Sequence, residues 1–286
     1  MTVAVDAVNE TFTEVFLPRR TKRRAPWTGR IGRAVAVYAS PLVLLAAWQL
    51  VSSLGVISDM IAASPIQVVK AAVHLWQVGA PSTLGEDLRI SLTRAAVGLV
   101  IGVSVAGVAA TVAGLSRAGE LVFNGPVSIL NTIPFLALLP VMIMWFGIGE
   151  LSKVLLISLG AGIPMYLNLF GAIRNVDAGL VEMARAAGAG RGRLIARVLL
   201  PGALPGALVG LRFSLAYSVL GLVVAEQINA NSGIGFMITQ AQTYQRVDEM
   251  FLGLVIYALL GLAGDQVVRV LERALLRWRP ELEGRA

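Results

Sequence analysis

The run AAVGLVIGVSVAGVAATVAGL, residues 95–115, contains no charged residue and no proline. A helix needs about 20 consecutive apolar residues to cross the hydrocarbon core of a bilayer, so this run predicts a transmembrane helix. Comparable uncharged runs lie on both sides of it, at Ala34–Leu54, Leu121–Gly149, Val154–Ile173 and Phe213–Ala225. A sixth run, Met250–Val268, is interrupted only by Asp265 near one end. The sequence therefore predicts an all-α, polytopic membrane protein with six transmembrane helices.

The composition supports a lipid-embedded protein and excludes several kinds of site. Hydrophobic residues make up 56% of the 286 residues and charged residues only 14%, whereas a soluble domain has about 25% charged residues. A soluble helical bundle would need polar stripes at helical period, and the long apolar runs lack them. With no cysteine and one histidine, disulfides, thiolate metal sites and multi-histidine metal centres are excluded.

The distribution of basic residues predicts the orientation. If the amino terminus is cytoplasmic, 18 of the 24 Lys and Arg residues fall on the cytoplasmic side. Arg212 lies within a span, and the remaining five are expected on the outer side: Lys70, Arg89, Arg94, Lys153 and Arg246. This bias follows the positive-inside rule. It accounts for the net charge of +7 without a nucleic-acid partner, and it places both termini in the cytoplasm.

The expected organisation has three parts. Residues 1–33 form a basic cytoplasmic tail, residues 34–272 the transmembrane domain, and residues 273–286 a second cytoplasmic tail. On the outer side, Ser64 followed by Pro65 is typical of a helix start. The segment Ile66–Val78 that follows is too short to span, so we expect an interfacial helix along the membrane surface.

Polar residues within the spans are candidates for a substrate path or gate. The third run contains three prolines, Pro126, Pro134 and Pro140, together with Asn131, which predicts a bent helix near the path. Polar packing between helices is the alternative. The fifth span, about Leu204–Ile228, has Arg212 and Glu226 on one face and Tyr217 and Ser218 on the opposite face. Arg212 and Glu226 are about 21 Å apart along the helix, so each needs a partner elsewhere or a place near the headgroups.

A second stretch, EMARAAGAGRGRLIARVLLP at residues 182–201, is too polar to span. Asp177 can cap a helix that runs to about Ala187, and Gly188 can end it with positive φ. A Gly-rich turn and a second short helix, ending before Pro201, should follow. The stretch is not a phosphate-binding loop, because the required Gly-Lys dipeptide occurs nowhere in the chain. The charge bias places this loop, about residues 174–201, in the cytoplasm.

The loop carries a family resemblance. Its residues match the pattern E-A-A-(x3)-G-(x9)-I-x-L-P at Glu182, Ala184, Gly188, Val198, Leu200 and Pro201. Met183 stands in place of the first Ala of the pattern, and Val198 in place of its Ile. The chain resembles permease subunits of binding-protein-dependent ABC importers, in the branch that handles nitrate, sulfonate and taurine. The resemblance covers roughly Ser64 to Val268 and includes LLPVMIMWFGIGELSKV, GLRFSL and VVAEQINANSGIGFMI.

This resemblance implies a non-catalytic subunit in a bacterial cytoplasmic membrane. Two copies would pair, and each loop would insert into a cytoplasmic ABC ATPase dimer, which binds the ATP and Mg²⁺. An extracytoplasmic solute-binding protein would deliver a small polar, anionic solute such as a sulfonate, taurine or nitrate. The implied coupling residues are Glu182, Ala184, Ala187, Gly188, Leu200 and Pro201.

Two other classes of protein compete with this interpretation. A secondary transporter or channel would work without an ATPase, but it normally has ionisable relays in several spans and often inverted repeats. A membrane-embedded enzyme would need an acid–base set, and the spans contain no pair of acids to provide one.

Overall fold

The computed structural model describes residues 27–56, 58, 60–77 and 84–276. Every regular element within these ranges is helical, which confirms the all-α prediction there. In chain order the helices are α1 (Trp27–Ser53), α2 (Pro65–Gln77), α3 (Leu84–Leu115), α4 (Arg117–Thr132), α5 (Leu138–Phe146), α6 (Glu150–Arg174), α7 (Ala178–Ala186), α8 (Arg191–Leu194), α9 (Leu200–Asn229), α10 (Ile234–Thr243) and α11 (Val247–Leu275). A 3₁₀ turn (Phe135–Ala137) lies between α4 and α5, and a π turn (Ile195–Leu199) between α8 and α9.

The chain divides into two compact units, residues 1–51 and 52–286. The described part of the first unit is most of α1, of which Ala39–Ser53 is an apolar segment shorter than a full span. Much of the predicted amino-terminal tail lies outside the described residues, as does most of the predicted carboxy-terminal tail.

In the second unit, α6 is the central helix and lies between α3 and α9. Small residues bring the three backbones together. A Cβ atom at Gly98 in α3 would lie 2.5 Å from Cγ2 of Ile157 in α6, and Gly102 faces the carbonyl oxygen of Ser158. On the other side of α6, Gly206 in α9 packs directly on the Cβ of Ala172. Small residues of this kind allow membrane helices to approach closely.

Four described helical stretches are long and apolar enough to cross a membrane. They are α3, α6, the stretch Arg191–Ile228 and α11. The predicted third span, Leu121–Gly149, is not one continuous helix, because α4 ends at Thr132 and the chain bends by 94° before Phe135–Phe146. If the bent pair counts as one span, the described residues contain five.

Only one of the three prolines in the predicted third span breaks a helix. Pro126 lies inside α4, and Pro140 lies near the start of α5. At Ile133 the backbone turns to extended angles, φ −76° and ψ 128°, as expected for a residue that precedes proline. The predicted bend is therefore confirmed, and Pro134 locates it.

Candidate functional site

The predicted loop forms two short helical segments at one end of the bundle, called the loop end below. The Asp177 carboxylate accepts a hydrogen bond from the Gly179 backbone N–H at 2.8 Å, which caps α7. At the other end of α7, Gly188 has φ +77°. The Ala189 N–H donates to the carbonyl of Ala184 at 3.0 Å, closing the helix end. Glycine adopts this backbone conformation without a steric penalty. The cap and the terminator were both predicted correctly.

The second half of the loop differs from the prediction. The short helix α8 ends at Leu194, before Pro201 as predicted, but the chain stays helical beyond it, because the π turn Ile195–Leu199 runs directly into α9, where Pro201 lies in the first turn. The Leu200 N–H bonds to the carbonyl of Ile195, five residues back. Proline in a regular helix removes a bond and clashes with the carbonyl four residues back. A wider π turn at this position lets the chain enter α9 without a break.

Most of the loop surface is exposed. Among the predicted coupling residues, Glu182, Ala187, Gly188 and Leu200 are exposed, whereas Ala184 and Pro201 are half-buried. Two apolar side chains on α7 are also exposed, Leu180 at 50% and Met183 at 67%. The loop is held to the bundle by Leu194, which is buried. Its outer surface combines the carboxylate of Glu182 with four exposed arginines, Arg185, Arg191, Arg193 and Arg197.

The base of the loop is tied to α4. Arg174, the last residue of α6, donates from Nη2 to Oε2 of Glu120 at 2.6 Å. Its guanidinium carbon lies 5.9 Å from the ring centre of Phe170. That ring stacks on Tyr166 with centroids 5.8 Å apart. The end of α6 is thus connected to the first turn of α4 by an ion pair.

At the opposite end of the bundle, a buried group of charges surrounds Arg94; we call it the Arg94 cluster. Nε and Nη2 of Arg94 donate to the two carboxylate oxygens of Glu150, each at 2.6 Å. Nη1 donates to Oε1 of Glu226 at 2.7 Å. The side chains of Arg94 and Glu226 are 5% and 0% exposed, whereas that of Glu150 is 61% exposed. Lys153 also reaches Glu150, at 3.1 Å.

Further hydrogen bonds give Glu226 a complete set of partners. Its carboxylate accepts from the Ser91 hydroxyl at 2.8 Å, from the Gly235 backbone N–H at 3.0 Å and from the Tyr257 hydroxyl at 3.1 Å. The carboxylate of Asp87 accepts from the Gly233 backbone N–H at 2.7 Å. The Arg94 cluster therefore joins α3, α6, α9 and α11 with the segment that starts α10. A buried polar group without hydrogen-bond partners carries a large desolvation cost, and these hydrogen bonds offset it.

Arg94 and Lys153 were expected on the outer side of the membrane, and they lie at the end of the bundle opposite the loop, where they are 4% and 5% exposed. The sequence did not predict that they are buried. Arg94 and Glu226 are 132 residues apart in the chain. The signal available in the sequence was Glu226 itself, a carboxylate within a span that needed a distant partner. Nothing in the spacing identified Arg94 as that partner.

Arg212 also finds its partners on another helix, nearer the loop end. Its Nε lies 3.2 Å from Oδ1 of Asp265, and its Nη2 donates to Glu272 at 3.1 Å. Asp265 also pairs with Arg269 at 2.8 Å. The prediction that Arg212 and Glu226 each need a partner outside their own helix is confirmed.

The structure does not gather the five predicted path residues into one site. Glu226 lies in the Arg94 cluster, and Arg212 pairs with α11. Ser218 is buried and donates to the carbonyl of Leu215 at 2.8 Å. Tyr217 is 43% exposed, and Asn131 is exposed at the end of α4. Among the described residues, no group of three or more His, Cys, Asp or Glu side chains could hold a metal ion.

One known structure shares this arrangement of helices. The chain superposes on one titled "Crystal structure of an amino acid ABC transporter with histidines" with a TM-score of 0.58. The match covers 73% of this chain and 97% of that one, at 18% sequence identity. The two chains therefore share a fold.

The sequence comparison identifies the family. Residues 98–277 match the family described as "Binding-protein-dependent transport system inner membrane component", and the chain belongs to it. It is 41% identical to SsuC of Bacillus subtilis (strain 168), named as an aliphatic sulfonates transport permease protein, over 85% of this chain and 87% of that protein. It is 33% identical to the taurine transport system permease protein TauC of Escherichia coli (strain K12), over 91% of this chain and 96% of that protein.

Proposed function

We propose that this chain is the permease subunit of an ATP-driven importer and that its cytoplasmic loop docks on a separate ATPase. The observation that carries the proposal is the shape of the loop. α7 is capped by Asp177, ended by Gly188 at positive φ and exposes Leu180, Glu182 and Met183 together. A short, rigid helix with an apolar and charged surface is suited to insertion into a protein cleft.

The proposed topology has six membrane segments with both termini in the cytoplasm. α1 provides the first segment, α4 and α5 together the third, and α3, α6, α9 and α11 the others. Residues 1–33 and 273–286 are the cytoplasmic tails, and the excess of basic residues at the loop end and the termini supports this orientation.

We also propose that α2 lies along the outer membrane surface. Its Val68 and Ala71 are buried against the bundle, while four large apolar side chains are exposed at helical spacing: Ile66 (53%), Val69 (62%), Val73 (49%) and Trp76 (66%). An exposed apolar stripe that ends in tryptophan is suited to the boundary between headgroups and acyl chains.

The proposed complex contains two copies of this chain, an ATPase dimer and an extracytoplasmic solute-binding protein. This chain contributes no catalysis; ATP and Mg²⁺ belong to the ATPase. In that complex the coupling surface is Glu182, Ala184, Ala187, Gly188, Leu200 and Pro201. Reversing a 1:99 preference between inward and outward states requires about 5.5 kcal/mol, which closure of an ATP-bound dimer must deliver through this surface.

The names of the relatives support a sulfonate-type solute, either an aliphatic sulfonate or taurine. We propose a small polar anion that passes Asn131, Tyr217 and Ser218. Arg212 and Glu226 would then act on gating by holding α9 to its neighbours, since each pairs with charges on another helix.

The docking proposal is tested by co-purification with a cytoplasmic ABC ATPase expressed together with this chain. Glu182→Lys reverses a charge on the exposed surface of α7, and Gly188→Asp adds a carboxylate at the exposed carboxyl end of the same helix, where a negative charge is unfavourable. We expect either substitution to abolish ATPase association and uptake while membrane insertion stays normal. A matched control, Gln242→Lys, adds a cation at an exposed position of α10, at the other end of the bundle, and should change neither.

Two results would contradict the proposal. One is normal ATPase association and uptake in both loop variants. The other is uptake by vesicles that contain this chain alone, driven by an ion gradient without ATP, which would favour a secondary transporter.

A further inference from the structure

The break between α4 and α5 is exposed. Asn131, Thr132, Ile133 and Pro134 all lie open on the surface of the described chain, at the point where the helix bends by 94°. The break thus combines two polar side chains with non-helical backbone.

The contacts of Phe135 place this break near the middle of the bundle. A Cβ at Gly160 would lie 2.7 Å from the Phe135 ring, and a Cβ at Gly221 would lie 3.1 Å from it. Gly160 is 10 residues from the start and 14 from the end of α6, which corresponds to about 15 and 21 Å along the helix. The ring therefore lies between two glycines near the middle of the bundle, which places the break at the same height.

Backbone at this depth needs hydrogen-bond partners. The last carbonyls of a helix have no partner within it. Ile129's carbonyl accepts from the Thr132 hydroxyl at 2.7 Å, and Leu130's accepts from the Ile133 N–H at 3.3 Å. Pro134 has no N–H to offer, so the carbonyls of Asn131 and Thr132 must find partners outside α4. Lipid cannot supply them, and exposed irregular backbone at membrane depth occurs only against protein or a water-filled cavity.

We infer that the exposed break at residues 131–134 lines the water-filled path for the solute, with Phe135 holding it in place between Gly160 and Gly221. This inference rests on the proposed function and assigns the hydrated part of the path to one segment. The groups presented there are an amide, a hydroxyl and carbonyl oxygens. They suit a hydrated polar solute and provide no charge that would hold it tightly.

The chain contains no cysteine, so single-cysteine variants can be labelled without background. The experiment uses the assembled transporter in proteoliposomes and a charged, membrane-impermeant methanethiosulfonate reagent. The test variant is Thr132→Cys. The control is Val100→Cys, which is 63% exposed and lies two residues from Gly102, the neighbour of Ser158 in the middle of α6. A thiol in hydrocarbon stays protonated and unreactive, so Thr132→Cys should react at least about tenfold faster.

The role of Phe135 has its own matched pair of variants. Gly160→Ala places a methyl group against the Phe135 ring, whereas Gly171→Ala on the same helix meets nothing within 4 Å. Because the ring must shift in the first case, labelling of Thr132→Cys should change by roughly threefold or more, and it should stay unchanged in the second. Equal rates in both backgrounds would show that the ring does not position the break.

The inference is overturned if Thr132→Cys reacts no faster than Val100→Cys. A disulfide between two copies at Thr132→Cys without labelling would also overturn it, since the break would then lie at a dry interface. Co-purification of the ATPase is measured on the same samples. A retained ATPase with an unreactive cysteine contradicts this inference alone, while absence of the ATPase from the parent protein contradicts the proposed function.

Discussion

The loop and the Arg94 cluster are both rich in charge, yet they are built in opposite ways. In the loop beyond Arg174, the hydrogen bonds that cap and end α7 join residues two to five apart, and the arginines are exposed. In the cluster, a guanidinium and a carboxylate from distant parts of the chain are enclosed together, 2.7 Å apart. One region leaves its charges available to another molecule. The other uses its charges within the fold.

This difference indicates how the molecule divides its tasks. Breaking a buried ion pair by removing one partner is costly, because a charge is left without compensation. The Arg94 cluster therefore keeps α3, α6, α9 and α11 together at one end. Helix α7 can contact another molecule without losing its own hydrogen bonds, because those bonds join residues that are close in the sequence. A rigid bundle with a locally folded projection can transmit a push from a partner protein to several helices at once.

The largest expected effect comes from removing Arg94. Arg94→Met leaves the carboxylate of Glu226 buried without its cation, so we expect a loss of about 3–5 kcal/mol in stability. The measurement is thermal unfolding in detergent, followed by size-exclusion chromatography. Arg89→Met, at an exposed position of the same helix, is the control and should unfold like the parent protein. If both variants unfold alike, the cluster does not hold the helices together.

A smaller effect is expected at the end of α7. Gly188→Ala forces a Cβ into a conformation with φ +77°, at a cost of roughly 1–2 kcal/mol. Gly188→Asn should cost less, because asparagine tolerates this region. We expect hydrogen exchange in α7 to rise in the alanine variant more than in the asparagine variant, with the helices around Arg94 unaffected. Faster hydrogen exchange in the helices around Arg94 would contradict the proposal that the two regions are independent.

The amino-terminal cap of α7 should matter by a similar or smaller amount. Asp177→Ala removes the acceptor for the Gly179 N–H, and the loss of such a cap costs about 1 kcal/mol. Asp177→Ser keeps an acceptor and should preserve protection of α7 in the same exchange experiment. Equal exchange in the two variants would show that the cap does not stabilise the loop.

Glu150 should show the smallest effect within the Arg94 cluster. Its side chain is 61% exposed, and exposed ion pairs contribute at most about 1 kcal/mol. Glu150→Gln leaves Arg94 paired with Glu226, so thermal unfolding in detergent should shift only slightly. A loss as large as that of Arg94→Met would mean that Glu150 is an equal member of the cluster.

The contrast between the two regions also explains what the sequence could predict. The cap at Asp177 and the terminator at Gly188 depend on neighbours a few residues away, so residue types and spacing were enough. The apolar runs identified the long helices for the same reason. The bend in the third predicted span followed from its three prolines, although the sequence did not show that Pro134 causes it. In each case the cause lies close by in the chain.

Contacts between distant segments could not be predicted in this way. Arg94 ends a charged stretch just before an apolar run, and its burial against Glu226 could not be predicted from that position. The π turn before Pro201 was missed because proline was expected to end a helix, and the wider turn avoids the clash. The exposed break at residues 131–134 required the three-dimensional position of Phe135.

The central claim is that the loop lies in the cytoplasm and docks on an ATPase. The most direct test is to determine on which side of the membrane the loop lies. Met183→Cys, on the exposed surface of α7, is compared with Tyr244→Cys, 68% exposed at the other end of the bundle. In intact cells, an impermeant thiol reagent should label Tyr244→Cys only. In opened membranes it should also label Met183→Cys, and bound ATPase should protect that site. Labelling of Met183→Cys from outside intact cells, or no protection by the ATPase, would contradict the account.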